Sequence, residues 1–327
     1  VSSKKWLLVV GAALVVALLA LTGCSSQSTT TEKKDTTATT AKAEKAKGLV
    51  EQVKETGHWK YFGLQVAKGP DGTKAGRYGD NCISCHSAVK MLDDKDAKLA
   101  DFFPGGKYDG KTEGISCRVC HKWDPKEGIT LQKTGWAACA DCHTSGAKPT
   151  LGSEVHHPQG EMVKGIGVGE VADTPSFKYS SVKDFACYDC HVTNSQKHDF
   201  MVPGVTSVHD QKDWVNRVDT KVDYAKMADM FKQEKCQGCH ADSNKTVDTI
   251  KQQQAEIGKK LEDLKKVYDD WSKKTATMDK NDPKVKAFKD GATYFTYVET
   301  DGSKGVHNYQ FAKALLAKAE EKFATLK

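Results

Sequence analysis

Cys82-Ile83-Ser84-Cys85-His86 sets a pattern that returns four times, as Cys117-Arg118-Val119-Cys120-His121, Cys139-Ala140-Asp141-Cys142-His143, Cys187-Tyr188-Asp189-Cys190-His191 and Cys236-Gln237-Gly238-Cys239-His240. These pentads use ten of the 11 cysteines and leave none over for a disulfide. At this Cys and His content, chance alone would supply roughly 0.01 such pentads. The spacing has a chemical reason. Thiols at i and i+3 sit on one turn of helix and can add to the two vinyl groups of a haem, while the His at i+4 projects from the same side toward the iron. Zinc knuckles and redox disulfides also use paired cysteines, but neither calls for a His directly after every second Cys. The pentads therefore read as five attachment sites for covalently bound haem c. Their cysteines are the thioether donors, and His86, His121, His143, His191 and His240 are the proximal ligands.

Each iron needs a sixth ligand or an open position. The six histidines outside the pentads are the natural donors: His58, His156, His157, His198, His209 and His307. Adjacent side chains at 156 and 157 are expected to point in different directions, so one of that pair binds, which leaves five distal ligands for five irons. Bis-His coordination saturates the iron and lowers its potential relative to Met/His ligation. Met91, Met162, Met201, Met227 and Met230 are available as donors, but the count does not need them, and Met is more often a filler of apolar cores.

Lys4 and Lys5, the apolar run Trp6 to Leu21, and Thr22-Gly23-Cys24 resemble the signal peptide and lipobox of bacterial lipoproteins, with an uncleaved anchor as the alternative. On that resemblance residues 1–23 are a signal peptide, Cys24 is lipidated, and the chain is exported to the outer face of the cell membrane or to an outer membrane. Residues 25–47 hold no aromatic or branched aliphatic side chain, so 24–47 reads as a flexible tether. Two or three acyl chains would make a stable membrane anchor.

Composition narrows the rest. Only 38% of residues are hydrophobic and 8% aromatic, a lean supply for an aliphatic core, and collagen-like or coiled-coil periods are absent. The basic residues are nearly all Lys, with Arg only at 77, 118 and 217, which argues against nucleic-acid recognition. Loss of residues 1–23 removes Lys4 and Lys5 and takes the net charge from +6 to +4. Each ferric haem with ionised propionates adds about −1, so the loaded protein is near neutral.

The pentads fall within a pentahaem body spanning residues 48–245. The segments between them, rich in Gly and turn residues (Pro104-Gly105-Gly106, Asp109-Gly110, Gly165 to Gly169), read as loops with little β-structure. Beyond 245 the apolar residues Ile250, Ile257, Leu261, Leu264, Tyr268 and Trp271, then Phe311, Leu315, Leu316, Ala319 and Phe323, recur at helical spacing. Residues 246–327 are thus a helical segment expected to pack on the haem body, and a dimer interface on the 246–275 helix is the alternative. Asp301 to Asn308, between the two stretches, returns His307 to the haems. The fold class is mostly α with extensive loops, a multihaem cytochrome c body followed by long C-terminal helices.

The pentads are similar to those of multihaem cytochromes c. In addition, His156-His157-Pro158-Gln159-Gly160-Glu161, the stretch Cys187 to Phe200 with Lys197-His198-Asp199-Phe200, and Gly305-Val306-His307-Asn308 resemble the superfamily of pentahaem ammonia-forming nitrite reductases and octahaem hydroxylamine oxidoreductases. That resemblance, of order and motif over residues 58–325, implies a mostly helical fold, haems stacked in alternating parallel and perpendicular pairs, and distal histidines in those segments. The sequence departs from the family at its catalytic motif. Nitrite reductases usually carry one CxxCK motif that leaves an iron open, and here all five end in His. Arg77 and Tyr78 before the first motif are candidates for a substrate pocket, or simply a turn beside the first haem. The leading expectation is a membrane-anchored electron carrier that serves redox partner proteins or an extracellular acceptor. One alternative is a reductase of nitrite or a related nitrogen or sulfur oxyanion with one open haem, for which His209 is the weakest distal ligand. Another is a subunit of a homopolymeric cytochrome filament.

Overall fold

The computed structural model describes residues 48–63, 79–145, 148–153, 155–175, 186–193, 198–209 and 217–327. The leader, Cys24, the tether, Arg77 and Tyr78 lie outside the described residues, as does the side chain of His209.

Short helices carry the motif half of the chain: α1 (Gly57–Tyr61), α2 (Ile83–His86), α3 (Cys117–Cys120), α4 (Ala137–Ala140), α5 (Gln159–Lys164), α6 (Cys187–His191), α7 (Tyr224–Met230) and α8 (Glu234–Gln237). Helices of four or five residues do not persist on their own, so tertiary contacts must hold them. Within the motifs the His N–H closes a turn onto the carbonyl of the first Cys: His86 on Cys82 at 3.2 Å, His143 on Cys139 at 3.0 Å, His240 on Cys236 at 2.8 Å, and His121 on Cys117. That turn places the imidazole on the side of the two thiols.

Two antiparallel hairpins interrupt the expected loops. Strand β1 (His121–Asp124) pairs with β2 (Gly128–Leu131), and β3 (Val205–His209) pairs with β4 (Arg217–Val222), with a register irregularity between Val208 and His209. The first hairpin arises because the Asp124 carboxylate accepts from the Lys126 and Glu127 N–H groups and tightens the turn. Its cross-strand pair Trp123 and Ile129 is 73% and 71% exposed.

Three long helices complete the fold: α9 (Ser243–Thr275), α10 (Pro283–Asp301) and α11 (Tyr309–Ala324). Each starts on a side-chain cap, from Asp242, Asp282 and Asn308 respectively, and Pro283 occupies the first turn of α10. Helix α10 has no counterpart in the sequence reading. It is buried around most of its circumference, through Val285, Phe288, Thr293, Tyr294, Phe295, Tyr297 and Val298, so it shows no clean apolar stripe.

The largest core joins the three long helices to Val155, Met162, Val168 and Val171 from the motif half. Hydrogen bonds tie the same segment down: Glu170 N–H to Tyr294 Oη (3.0 Å), Tyr297 Oη to Ile166 O (3.0 Å), Thr293 Oγ1 to Ser153 O (3.0 Å) and Asn308 Nδ2 to Thr174 O (2.6 Å). Two smaller cores flank the motifs, one of Phe62, Ile83, Val89, Leu99 and Phe102 beside the first, the other of Met227, Met230, Phe231, Val247 and Ile250 beside the fifth. Among the described residues no helix is long and apolar enough to cross a membrane.

Candidate haem-binding sites

Four motif histidines each meet a histidine from outside the motifs. Ring centroids are 6.1 Å apart for His86 and His157, 6.1 Å for His121 and His198, 5.8 Å for His143 and His58, and 6.3 Å for His191 and His307. An iron held about 2 Å from a nitrogen of each ring would set the centroids roughly 6 Å apart. The Nε2 atoms of His143 and His58 face each other at 3.5 Å. With a CxxC thiol pair beside each motif His, the donor set fits c-type haem. All ten motif cysteines are free.

Local structure explains how the partners arrive. His58 lies on α1, and Gly114 lets a second strand of chain cross it: a Cβ at 114 would stand 2.4 Å from the His58 carbonyl, which instead accepts the Ile115 N–H at 2.6 Å. The His198 N–H donates to Gln52 Oε1 (2.9 Å) from the helical residues 48–54. His307 sits in the loop between α10 and α11. His157 has a left-handed backbone (φ 48°). The ring planes of His156 and His157 lie 65° apart. Their centroids are 4.1 Å apart, and His86, His156 and His157 each bring a ligand nitrogen within 4.8 Å of the others. His157 forms the 6.1 Å pair with His86, and His156 is exposed.

Burial acts on these rings as on any base in an apolar setting. Desolvation first, then neighbouring histidines, lower His58 and His157 to about 3 and His86 to about 4. His143, His191 and His198 are also lowered by burial. Neutral imidazoles offer the lone pair a metal needs. For His307 burial works in the same direction, but the Asp301 carboxylate outweighs it and holds the ring above its ordinary value.

Outer partners, which sequence reasoning missed, orient several rings. The Nδ1 of His143 meets Gln159 Oε1 (3.4 Å), that of His191 meets the Phe200 carbonyl (3.1 Å), that of His240 meets Thr246 Oγ1 (3.3 Å), and that of His307 meets Asp301 Oδ1 (2.6 Å). No motif spacing announces them. They lie in other segments, or on loops whose path the sequence does not specify. Among the described residues the buried Nδ1 atoms of His121 and His198 have no partner.

The third motif is the hub. The Cys142 thiol neighbours that of Cys85, and the Cys139 thiol that of Cys187. Burial first, and the neighbouring Cys139 thiol second, push Cys120 up to about 11. The fourth motif leads on to the fifth, because Cys190 packs against the cluster containing Cys236. At the fifth motif the aromatic ring described beside His240 is Phe231, at 5.2 Å. Of the methionines, Met162, Met227 and Met230 are buried in cores.

No protein-family profile matches the chain, and no curated protein matches it. Solved structures do. The outer cell wall cytochrome OcwA matches with 28% identity over 84% of this chain and a TM-score of 0.56. The fold is that of a multihaem cytochrome. An undecahaem cytochrome from the S-layer of Carboxydothermus ferrireducens matches at 21% identity over 83% of the chain, with a TM-score of 0.50, a likeness of fold alone. The chain spans 50% of the length of OcwA and 41% of the undecahaem protein. The mostly helical class, with long helices after the last motif, matches the expectation from sequence.

Proposed function

We propose that the protein is a pentahaem c-type cytochrome that carries electrons outside the cytoplasm, held to a membrane through a lipidated Cys24. The observation that carries this reading is the set of four opposed imidazole pairs, 5.8–6.3 Å between centroids, each joining a CxxCH histidine to one from elsewhere in the chain. An iron with two imidazoles has no free position for substrate, so it exchanges electrons and little else. Packing of the motifs around the third supports short electron-transfer steps from haem to haem. The likeness to cytochromes of an outer cell wall and an S-layer supports an extracytoplasmic setting and a redox partner or acceptor outside the cell.

The experiment is to count haems by intact mass and to record EPR and visible spectra of the oxidised holoprotein with and without nitrite. Five haems, at least four of them low-spin and unmoved by nitrite, are expected. A second reading, a reductase of nitrite or a related oxyanion, is favoured only at the fifth motif, where Phe231 rather than a described histidine flanks His240. A high-spin signal that nitrite shifts, together with enzyme-like turnover, would replace the carrier by that reductase.

A further inference from the structure

We propose that Asp301 is a positioning residue that lowers the reduction potential of one haem, the one between His191 and His307, by holding the outer nitrogen of His307. The inference rests on the proposed role of His307 as an iron ligand. Asp301 is the last residue of α10, and its side chain is only 1% exposed. Its Oδ1 lies 2.6 Å from His307 Nδ1. Its Oδ2 accepts the Ser303 N–H at 3.2 Å and the Ser303 hydroxyl, whose oxygen in turn accepts the His307 backbone N–H at 3.2 Å. The loop 301–307 thus closes on itself around the carboxylate. Asp301 accepts both bonds from Ser303, and with the proton on His307 Nδ1 it accepts the third, the pattern of an ionised group.

Among the described residues the ion pair of Asp301 is with His307, not with a Lys or Arg. A buried carboxylate without a cation is costly unless positive charge reaches it another way. A ferric iron bound at Nε2 supplies that charge through the ring. The hydrogen bond fixes the tautomer with the proton on Nδ1 and makes Nε2 the stronger donor, as carboxylate–histidine pairs do at metal sites generally. The ferric state gains more than the ferrous state, so the potential falls. The effect is local. His191 on the opposite side meets a backbone carbonyl, His143 an amide oxygen, and the Nδ1 atoms of His121 and His198 no acceptor among the described residues.

The test is a spectroelectrochemical titration of the holoprotein, with EPR on each variant. Asp301→Asn keeps the acceptor and removes the charge. One step is expected to rise by about 59 mV, a tenfold change in its one-electron equilibrium, while the others stay in place and that haem remains low-spin. Ser303→Ala leaves the carboxylate but strips a donor from it, throwing more charge onto His307, and is expected to move the same step downward. Ser303→Ala also decides the matter if Asp301→Asn fails to load haem. An unmoved titration in a haem-loaded Asp301→Asn, a uniform shift of all steps, or a Ser303→Ala that moves nothing overturns the inference. His307→Ala separates the two layers: a new high-spin haem upholds the ligand and leaves Asp301 alone on trial, whereas no spin change removes the ligand and the inference with it.

Discussion

Burial sets the charge of the histidines before any iron enters the argument. His58, His86 and His157 sit at about 3, 4 and 3 in the folded chain, with desolvation the first cause, whereas a histidine in the unfolded chain titrates near 6.5. A base lowered on folding contributes its full stability above the unfolded value. That contribution is lost as the pH falls toward the folded value, because the unfolded state takes up the protons first. Iron ligation acts in the same direction, since it needs the neutral ring. The denaturation midpoint of the holoprotein should therefore hold steady from pH 8 to 7 and fall as the pH drops below about 6.5, where histidines released on unfolding take up protons. Urea titrations across that range check it. A midpoint as high at pH 4 as at pH 7 would show that these rings are not buried neutral bases.

Packing between elements is close where α10 passes α11. Gly291 lies within α10, and a Cβ there would come 2.6 Å from Phe323 Cε1 and 3.1 Å from Lys322 Cβ. Phe323 is itself buried, its ring 6.0 Å from that of Phe288 and 6.5 Å from that of Phe295. Replacing a helical Gly by Ala ordinarily gains about 1 kcal/mol of propensity. Overpacking a closed aromatic layer costs about 1–3 kcal/mol. Gly291→Ala is expected to lower the thermal midpoint of the holoprotein, with a net loss of about 1 kcal/mol, and a raised midpoint would mean that Phe323 has room to turn. Because α10 ends at Asp301 and α11 begins after Asn308, a shift here also reaches His307. Polar contacts at the surface contribute less. Arg118 of the second motif clamps Asp93 (2.5 and 2.6 Å) and Glu113 (2.9 and 3.1 Å), but these groups are 42%, 45% and 29% exposed, and solvent screening leaves such pairs little net stability.

Across the whole molecule the two kinds of core depend on haem to different degrees. The three long helices, Leu326 and residues 151–174 bury eighteen apolar side chains against one another with no cysteine among them. The motif helices are four or five residues long, and their cores are small. Hydrogen exchange on chain made without haem attachment should keep protection in residues 243–326 and lose it across 79–145, 186–193 and 217–240, with the loaded protein protected in all of them. Equal protection of the motif segments without haem would show that protein contacts alone order them.

How much was legible follows the same division. Covalent proximity governs the spacing of two thiols and a histidine on one turn, so the five pentads and their chemistry can be read residue by residue. Helical periodicity marks α9 and α11 because each has one wet face. It passes over α10, whose near-complete burial erases the contrast between faces, and over the β1–β2 hairpin, which depends on a single Asp turn. The sequence by itself determined which atoms are available: ten motif thiols, five motif histidines and six others. Only the tertiary structure decided which rings come together, that His156 and His157 both gather at His86, that the third motif lies among the first, second and fourth, and that a buried carboxylate stands behind His307. Those outcomes depend on contacts between residues tens to more than a hundred positions apart, such as His58 with His143 and His191 with His307. No local pattern encodes them, because the free energy that selects them comes from burying distant surfaces together.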